Sequence, residues 1–565
     1  MINMKNNYLI ILLFFTTLNG ASPQPVFAQN GMVVSTSSQA SEAGIQIMKK
    51  GGNAVDAAVV TGFALAVTSS SNGNIGGGGF MVARLADGTT FTLDYREIAP
   101  AAAPRDMYLD ANGDVIENMS LRTRAASGVP GTVDGLLIAW ADHGSGNISR
   151  RELLAPAIAL AEKGFELSHY EASRFNSYKE LFSSNEAAAA VFVRKNGRLW
   201  KAGDRLIQKD LAKTLKRIVR EGREGFYSGK TADLIVAEMK NGNGLITHED
   251  LQNYRSVYRE PVTGSFFGND IISMGPPSSG GALLIHMLNM LEHYPIDTLG
   301  WNSSDYIHLL TEVERRAYAD RAEHMGDSDY WDVPVKMFLS AEYAEQRISD
   351  ISLTKASASA DVFAGPPTQN ESRETTHYSV VDKDGNAVSV TTTINWSYGG
   401  GFFVKGAGFF LNNEMDDFSS KAGTPNMYGL IGNEANAIQP GKRPLSSMTP
   451  VIVLKDKKPF LLIGSPGGST IITTSMQTIL NVIIHGMDIQ DAVSANRVHS
   501  QWLPDILFYE KNGLSRDVLK NLNQKGHVTK IHPWVEWGEA NCIMISENGY
   551  FGAADTRGEN AAVGY

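Results

Sequence analysis

The chain has almost no cysteine: Cys542 stands alone among 565 residues. A single thiol excludes an intrachain disulfide framework, so the fold must hold by its core. Its place in the apolar run Cys542-Ile-Met-Ile545 predicts a buried strand thiol and not a nucleophile. An excess of positive charge is missing as well, and the formal net charge of −10 argues against a polyanion partner such as nucleic acid. No His-Glu-x-x-His and no paired Cys/His spacing occurs, so neither a metal nor any other cofactor is expected. There is no internal repeat. Long apolar runs are scarce too, and the telling one is at the start. Lys5 precedes an apolar stretch at 8–15, and small residues lead on to Val26-Phe27-Ala28. This is the pattern of a signal peptide, residues 1–28, too short to span a bilayer as an anchor, with cleavage expected near Ala28. An exported protein, periplasmic or secreted and free of the membrane once the leader is gone, is the expectation; an uncleaved anchor is the alternative.

Two glycine-rich stretches resemble nucleotide sites only superficially. In Gly73-Asn-Ile-Gly-Gly-Gly-Gly79-Phe80 no helix opens after the glycines; a strand at 80–85 is predicted instead, which points to close backbone packing. Gly225-Phe-Tyr-Ser-Gly229-Lys230-Thr231 is one residue short of a Walker A spacing. Helices are predicted at 41–50 and 54–67, and the chain from 121 to 268 reads as mostly helical.

The richest stretch is ETTHYSVVDKDGNAVSVTTTIN, from Glu374. Residues 377–381 and 387–393 are β-branched and aromatic, with a turn cluster at 382–386. A hairpin centred on Asp384 pairs 381 with 387, and the same register sets Thr375 opposite Thr393 on one face of the sheet. Upstream, 355–373 is Ser/Ala/Pro/Asn-rich without apolar periodicity and reads as a loop. A loop running into a strand that begins with Thr suits a chain cut before that Thr. The freed α-amine, with a pKa of about 7.7–8.0, could then take the proton of its own hydroxyl. Pattern alone also allows a plain threonine-rich strand, since Thr favours sheets.

TTHYSVVDKDGNAVSVT resembles the small-subunit start of the γ-glutamyltranspeptidases (glutathione hydrolases), which cut themselves before this Thr. GGNAVDAAV (51–59), GNIGGGGF (73–80), LDYREIAP (93–100), MGPPSSGG (274–281), ERRAYADRAEHMGD (314–327), RPLSSMTP (443–450), IGSPGGS (463–469) and GYFGAADTRGENAAVGY (549–565), the last expected to be a final sheet strand, are similar to the family in the same order. The resemblance implies an α+β, four-layer αββα N-terminal-nucleophile hydrolase fold with two stacked sheets between helical layers. It implies a large subunit of 29–374 and a small catalytic subunit of 375–565, one intertwined heterodimer after self-cleavage. It also implies a γ-glutamyltransferase and glutathione hydrolase activity, with glutathione and other γ-glutamyl compounds as donors and water, amino acids or dipeptides as acceptors.

Residue roles follow from the same resemblance. Thr375 is the nucleophile and Thr393 its supporting hydroxyl. Arg96 holds the substrate α-carboxylate, for which a planar guanidinium is suited, and Ser446 and Ser447 hydrogen-bond the same group. Asp417 takes the α-amine with Glu414 in support, where bacterial relatives often carry Gln. Gly467 and Gly468 supply oxyanion donors. Tyr428 gates the pocket from a lid at 420–440, a loop too long for a simple connection. Asn395, two residues past Thr393, is expected on the same strand face as Thr375. Its Asn395-Trp-Ser397 sequon is read as coincidental. By composition alone the acids at 411–419 would be solvated, the serines turn residues and the helix at 314–327 scaffold. Two further readings remain open at this point. One is a related cephalosporin acylase or poly-γ-glutamate depolymerase, against which the lid and the Arg96/Asp417 pair weigh. The other is an exported binding or structural protein with a degenerate site.

Overall fold

The computed structural model describes residues 23–363, 375–533 and 537–565. Most of the expected leader (1–22), the later part of the loop at 355–373 and Glu374 itself lie outside the described residues.

The hairpin forms in the register its turn dictates. Thr376–Asp382 and Ala387–Thr393 pair antiparallel, with Val381 opposite Ala387 and Thr376 opposite Thr392. One step further along that register, Thr375 faces Thr393. The Asp382 carboxylate fixes the turn by accepting from the N–H groups of Asp384 and Asn386, both at 3.0 Å.

Side-chain alternation then decides the layers. Tyr378, Val380, Val388 and Val390 join an apolar cluster with the helices Ser38–Lys49 and Ala54–Thr68. Val381 and Ala387 point the other way, into a cluster with Ile452, Leu462 and Ile543 of a second sheet. Along this inner face the hairpin grows polar towards its open end, from Val381 and Ala387 through Ser379 and Ser389 to His377 and Thr391. Ser379 Oγ donates across the gap to the Asn541 carbonyl at 2.9 Å, and His377 Nδ1 meets Thr391 Oγ1 at 2.9 Å. Thr375 and Thr393 are the last pair of that series.

The first sheet has seven strands in the order Ala561–Gly564, Gly31–Ser35, Thr376–Asp382, Ala387–Thr393, Gly78–Arg84, Thr90–Asp94 and Val257–Arg259. The second, also of seven, runs Val26–Ala28, Gly549–Ala554, Asn541–Ser546, Lys458–Ile463, Val451–Lys455, Asn269–Ser273 and Val262–Phe266. All neighbours in both are antiparallel. Helices Gly280–Glu292, Ser304–His324 and Thr470–Ile483 cover the outer face of the second sheet. The result is the expected αββα stack, and each sheet draws strands from both sides of position 375.

Three expectations are corrected. Val26–Ala28, placed in the leader, forms an edge strand on Gly549–Ala554, with Ala28 buried. The tail, expected to be one strand, is two, and they lie in different sheets because the turn between them carries the chain across the stack. The helical stretch ends at Asn253, after which strands close an edge of each sheet. Cys542 is fully buried and its thiol is pushed up to about 12 by burial. Among the described residues no helix is long and apolar enough to cross a membrane.

Candidate active site

The glycine run leading into Gly78–Arg84 lets that strand run close beside the end of the hairpin, where Gly78 pairs with Thr393. A Cβ at Gly77 would lie 2.1 Å from the Thr393 carbonyl oxygen, so only glycine fits there. Close backbone packing, and not phosphate binding, is what these glycines serve.

Thr375 is buried and stands between two cavities. The inner one, a small cavity of about 20 Å³, is lined by Arg96, Thr393, Asn395, Glu414, Asp417, Tyr428, Ser446, Ser447 and Gly468. The outer cleft, about 320 Å³, is rich in hydroxyls, including Thr36, Ser69, Ser70 and Ser71, and reaches Gly467. Each candidate catalytic or substrate-binding residue named from the sequence thus borders one of the two spaces that meet at Thr375.

The Arg96 guanidinium anchors the far end of the inner pocket. It follows the strand Thr90–Asp94, whose last residue accepts the Arg96 N–H at 2.9 Å, while Tyr254 donates to its carbonyl at 2.8 Å. Its terminal nitrogens donate to Glu414 and Asp417, and Nε donates to the Pro444 carbonyl at 3.2 Å. Burial works against its charge, but Glu414 and Asp417 outweigh that and hold its pKa above the usual value. Behind Arg96 lies Glu97, fully buried, its carboxylate 3.8 Å away. Burial raises the carboxyl groups of both Glu97 and Glu414 above the usual carboxylate range, and the Arg96 charge works against that shift.

The acids at 411–419 are not solvated. They sit on the short turn Glu414–Asp417, and Asp416 ties down the lid, accepting from Ser120 Oγ at 2.5 Å and from the Met427 N–H at 3.0 Å. Burial pushes the Asp416 carboxyl up to about 6. Asn426 of the lid donates to Asp417 at 3.2 Å, and Gln501 donates to the Tyr428 carbonyl at 3.1 Å. Tyr428 is itself buried, and its hydroxyl donates to Asn395. The lid is shut over the pocket.

Asn395 reaches the site by a different route from the one expected. The strand ends at Thr393, and Asn395 has φ of 68°, so alternation no longer governs it. Its N–H donates to Thr393 Oγ1 at 2.7 Å and its side-chain amide to the Asn413 carbonyl at 3.0 Å. At 1% exposure it offers a glycan no access, which leaves the sequon idle. Gly467 and Gly468 have φ of 132° and 55°, in the left-handed region, just before the helix Thr470–Ile483. Among the described residues neither N–H donates to a backbone or side-chain acceptor.

The sequence pattern did not point to Arg321. It lies on Ser304–His324, a helix whose charged residues Glu312, Glu314, Arg315, Arg316 and Asp320 are all buried. Its guanidinium lines the inner pocket, donating to Ser279 Oγ at 2.9 Å and Ser447 Oγ at 3.2 Å. On the same helix His308 and Glu312, with His527, bring ligand-type atoms within 4.8 Å of one another. These are already partnered: the two rings bond each other at 2.7 Å, and Glu312 accepts from Arg316 at 2.8 Å and from the Ser357 N–H at 3.0 Å.

Two stacked antiparallel sheets between helices, with a threonine heading an inner strand at the mouth of a buried polar pocket, define an N-terminal-nucleophile hydrolase. The chain belongs to the γ-glutamyltranspeptidase family, whose model it matches over residues 40–565. It is 45% identical over 544 residues to the glutathione hydrolase proenzyme of Escherichia coli strain K12, covering 96% of this chain and 93% of that one. Among solved structures it is similar to a cephalosporin acylase from Bacillus halodurans, with a TM-score of 0.84 and 25% identity over 98% of this chain and 99% of the other. It is also similar to the Helicobacter pylori γ-glutamyltranspeptidase, with a TM-score of 0.57 and 41% identity over 61% of this chain and 97% of that one.

Proposed function

We propose that the chain is a self-processing γ-glutamyltranspeptidase and glutathione hydrolase whose nucleophile is Thr375. The observation that carries this reading is the position of Thr375, opposite Thr393 and at the mouth of a closed pocket with a guanidinium and carboxyl groups at its far end. In the first step Thr375 Oγ attacks the carbonyl carbon of Glu374, the peptide bond gives way to an ester, and water opens the ester. Two chains result, one ending at Glu374 and the other running from Thr375, held as a heterodimer by sheets to which both contribute.

In turnover the α-amine of Thr375 takes the proton from Oγ as the oxygen attacks the γ-carbonyl of glutathione or another γ-glutamyl amide. Gly467 and Gly468 donate their N–H groups to the oxyanion; one such donor contributes roughly 2.7–4 kcal/mol. The amine passes its proton to the departing nitrogen, and cysteinylglycine leaves when the donor is glutathione. Water or the amine of an amino acid or dipeptide then opens the γ-glutamyl ester. Arg96, Ser446 and Ser447 hold the α-carboxylate, and Asp417 and Glu414 hold the α-amine. Binding both charges at one end is what selects this head group. A leader that directs export completes the reading.

The test is a denaturing gel of the purified protein with sequencing of the smaller band. A band beginning Thr-Thr-His-Tyr is expected, and Thr375→Ala should run as one uncut, inactive chain. A variant without Thr375 that was still cut and active would remove the nucleophile from the mechanism. Turnover of γ-glutamyl-p-nitroanilide in preference to glutaryl-p-nitroanilide separates this activity from that of an acylase.

A further inference from the structure

Arg321 is 4% exposed, and the groups it bonds are two neutral hydroxyls. Among the described residues no carboxylate lies within ion-pair distance of it. A buried cation with no carboxylate in contact is costly; Asp417 favours its charge from a longer range, but burial outweighs that and draws this guanidinium down to about 10. Such a group is retained where a charge arrives from outside. The pocket it lines is where one would arrive. Arg96, the guanidinium assigned to the α-carboxylate, is already engaged by Glu414 and Asp417, so an incoming carboxylate finds Arg96 satisfied and Arg321 not. Ser447 links the two: its hydroxyl accepts from Arg321 and lies on the wall assigned to the carboxylate. A γ-glutamyl head group is a zwitterion, and with Arg321 included the pocket offers it a cationic side as well as an acidic one.

We propose that Arg321 is a substrate-positioning residue, a second guanidinium that receives the α-carboxylate of the γ-glutamyl group through Ser447. The proposal rests on the donor reading given above. The competing role is purely structural. Arg321 also ties its helix to the start of Gly280–Glu292, since Ser279 Oγ accepts from Arg321 and donates to the Ser446 carbonyl at 2.8 Å.

The experiment compares self-cleaved wild type, Arg321→Met and Arg321→Lys with γ-glutamyl-p-nitroanilide as donor. L-glutamate and 4-aminobutanoate, the same head group without its α-carboxylate, serve as competing inhibitors. With Met, KM for the donor and the inhibition constant of L-glutamate should rise roughly 10- to 100-fold, the scale of one hydrogen bond to a charged group. The inhibition constant of 4-aminobutanoate should hold steady and kcat should change little. Lys, which keeps the charge but loses the fork, should fall between. Equal weakening of both inhibitors, or a loss confined to kcat, would overturn the proposal. If the Met variant does not mature, the Lys variant decides by the same comparison. A wild type that bound both inhibitors equally would instead remove the donor reading, and this proposal with it.

Discussion

Asp417 has one oxygen on Arg96 and the other on Asn426 of the lid, and an incoming ammonium must share them. An amide in its place keeps the shape but loses the charge. Asp417→Asn should therefore raise KM for γ-glutamyl-p-nitroanilide by roughly 100-fold or more, the scale of a broken buried charge pair. Steady-state kinetics on the γ-glutamyl and glutaryl anilides checks this, because only the first carries the amine. Arg96 and Arg321 mark how far single residues are legible in the sequence. Arg96 lies in LDYREIAP, one of the stretches that resemble the family, and its role came with that resemblance, since a lone arginine just past a strand end reads as a solvated charge. Arg321 sits in a run of charges that looks like a solvated helix face, and its burial is created by loops distant in sequence order. Nothing local reports that. The three acids at 414–417 look solvated by composition for the same reason, since the lid that covers them is a tertiary fact.

A hairpin carries its own register, because the turn and the alternation both lie within a few residues. That is why the Thr375–Thr393 pairing is legible in the sequence, while Asn395, just past the strand end, is not placed by alternation. Neighbouring elements test the same geometry. Gly77→Ala pushes a methyl against the Thr393 carbonyl and should cost about 1–3 kcal/mol of stability as overpacking. Urea unfolding would measure the loss, and a gel should show slowed self-cleavage as the hairpin end is displaced. Tyr428→Phe removes the hydroxyl that bonds Asn395 and should weaken closure by about 1 kcal/mol. Rates on a bulky γ-glutamyl peptide should then rise relative to those on γ-glutamyl-p-nitroanilide. An unchanged ratio would mean that Tyr428 packs but does not gate.

Across the whole molecule, contacts between the regions before and after position 375 decide what survives the cut. One of them is the bond between His308 and His527. Burial, followed by the charge of His308, lowers the pKa of His527 to about 4, below the roughly 6.5 of an unfolded histidine. The folded state thus favours the neutral ring, and its stabilisation is whole above pH 6.5 and is lost as the pH falls through about 4. His527→Gln should accordingly lower the Tm more at pH 7.5 than at pH 4.5, and thermal melts at both values would settle the sign. The layering itself followed from the family resemblance and from mixed helix and strand patterns, but the strand order did not, because neighbours in these sheets come from distant parts of the chain. The outermost strand beside the nucleophile's own sheet partner shows what that order entails. Ala561–Gly564 pairs with Gly31–Ser35, and the Tyr565 carbonyl accepts from the N–H groups of Gln29 and Asn30 at 3.2 and 2.7 Å. A strand from after position 375 thus closes this sheet on a strand from before it, so a cut at that position leaves the two pieces laced together along the edge.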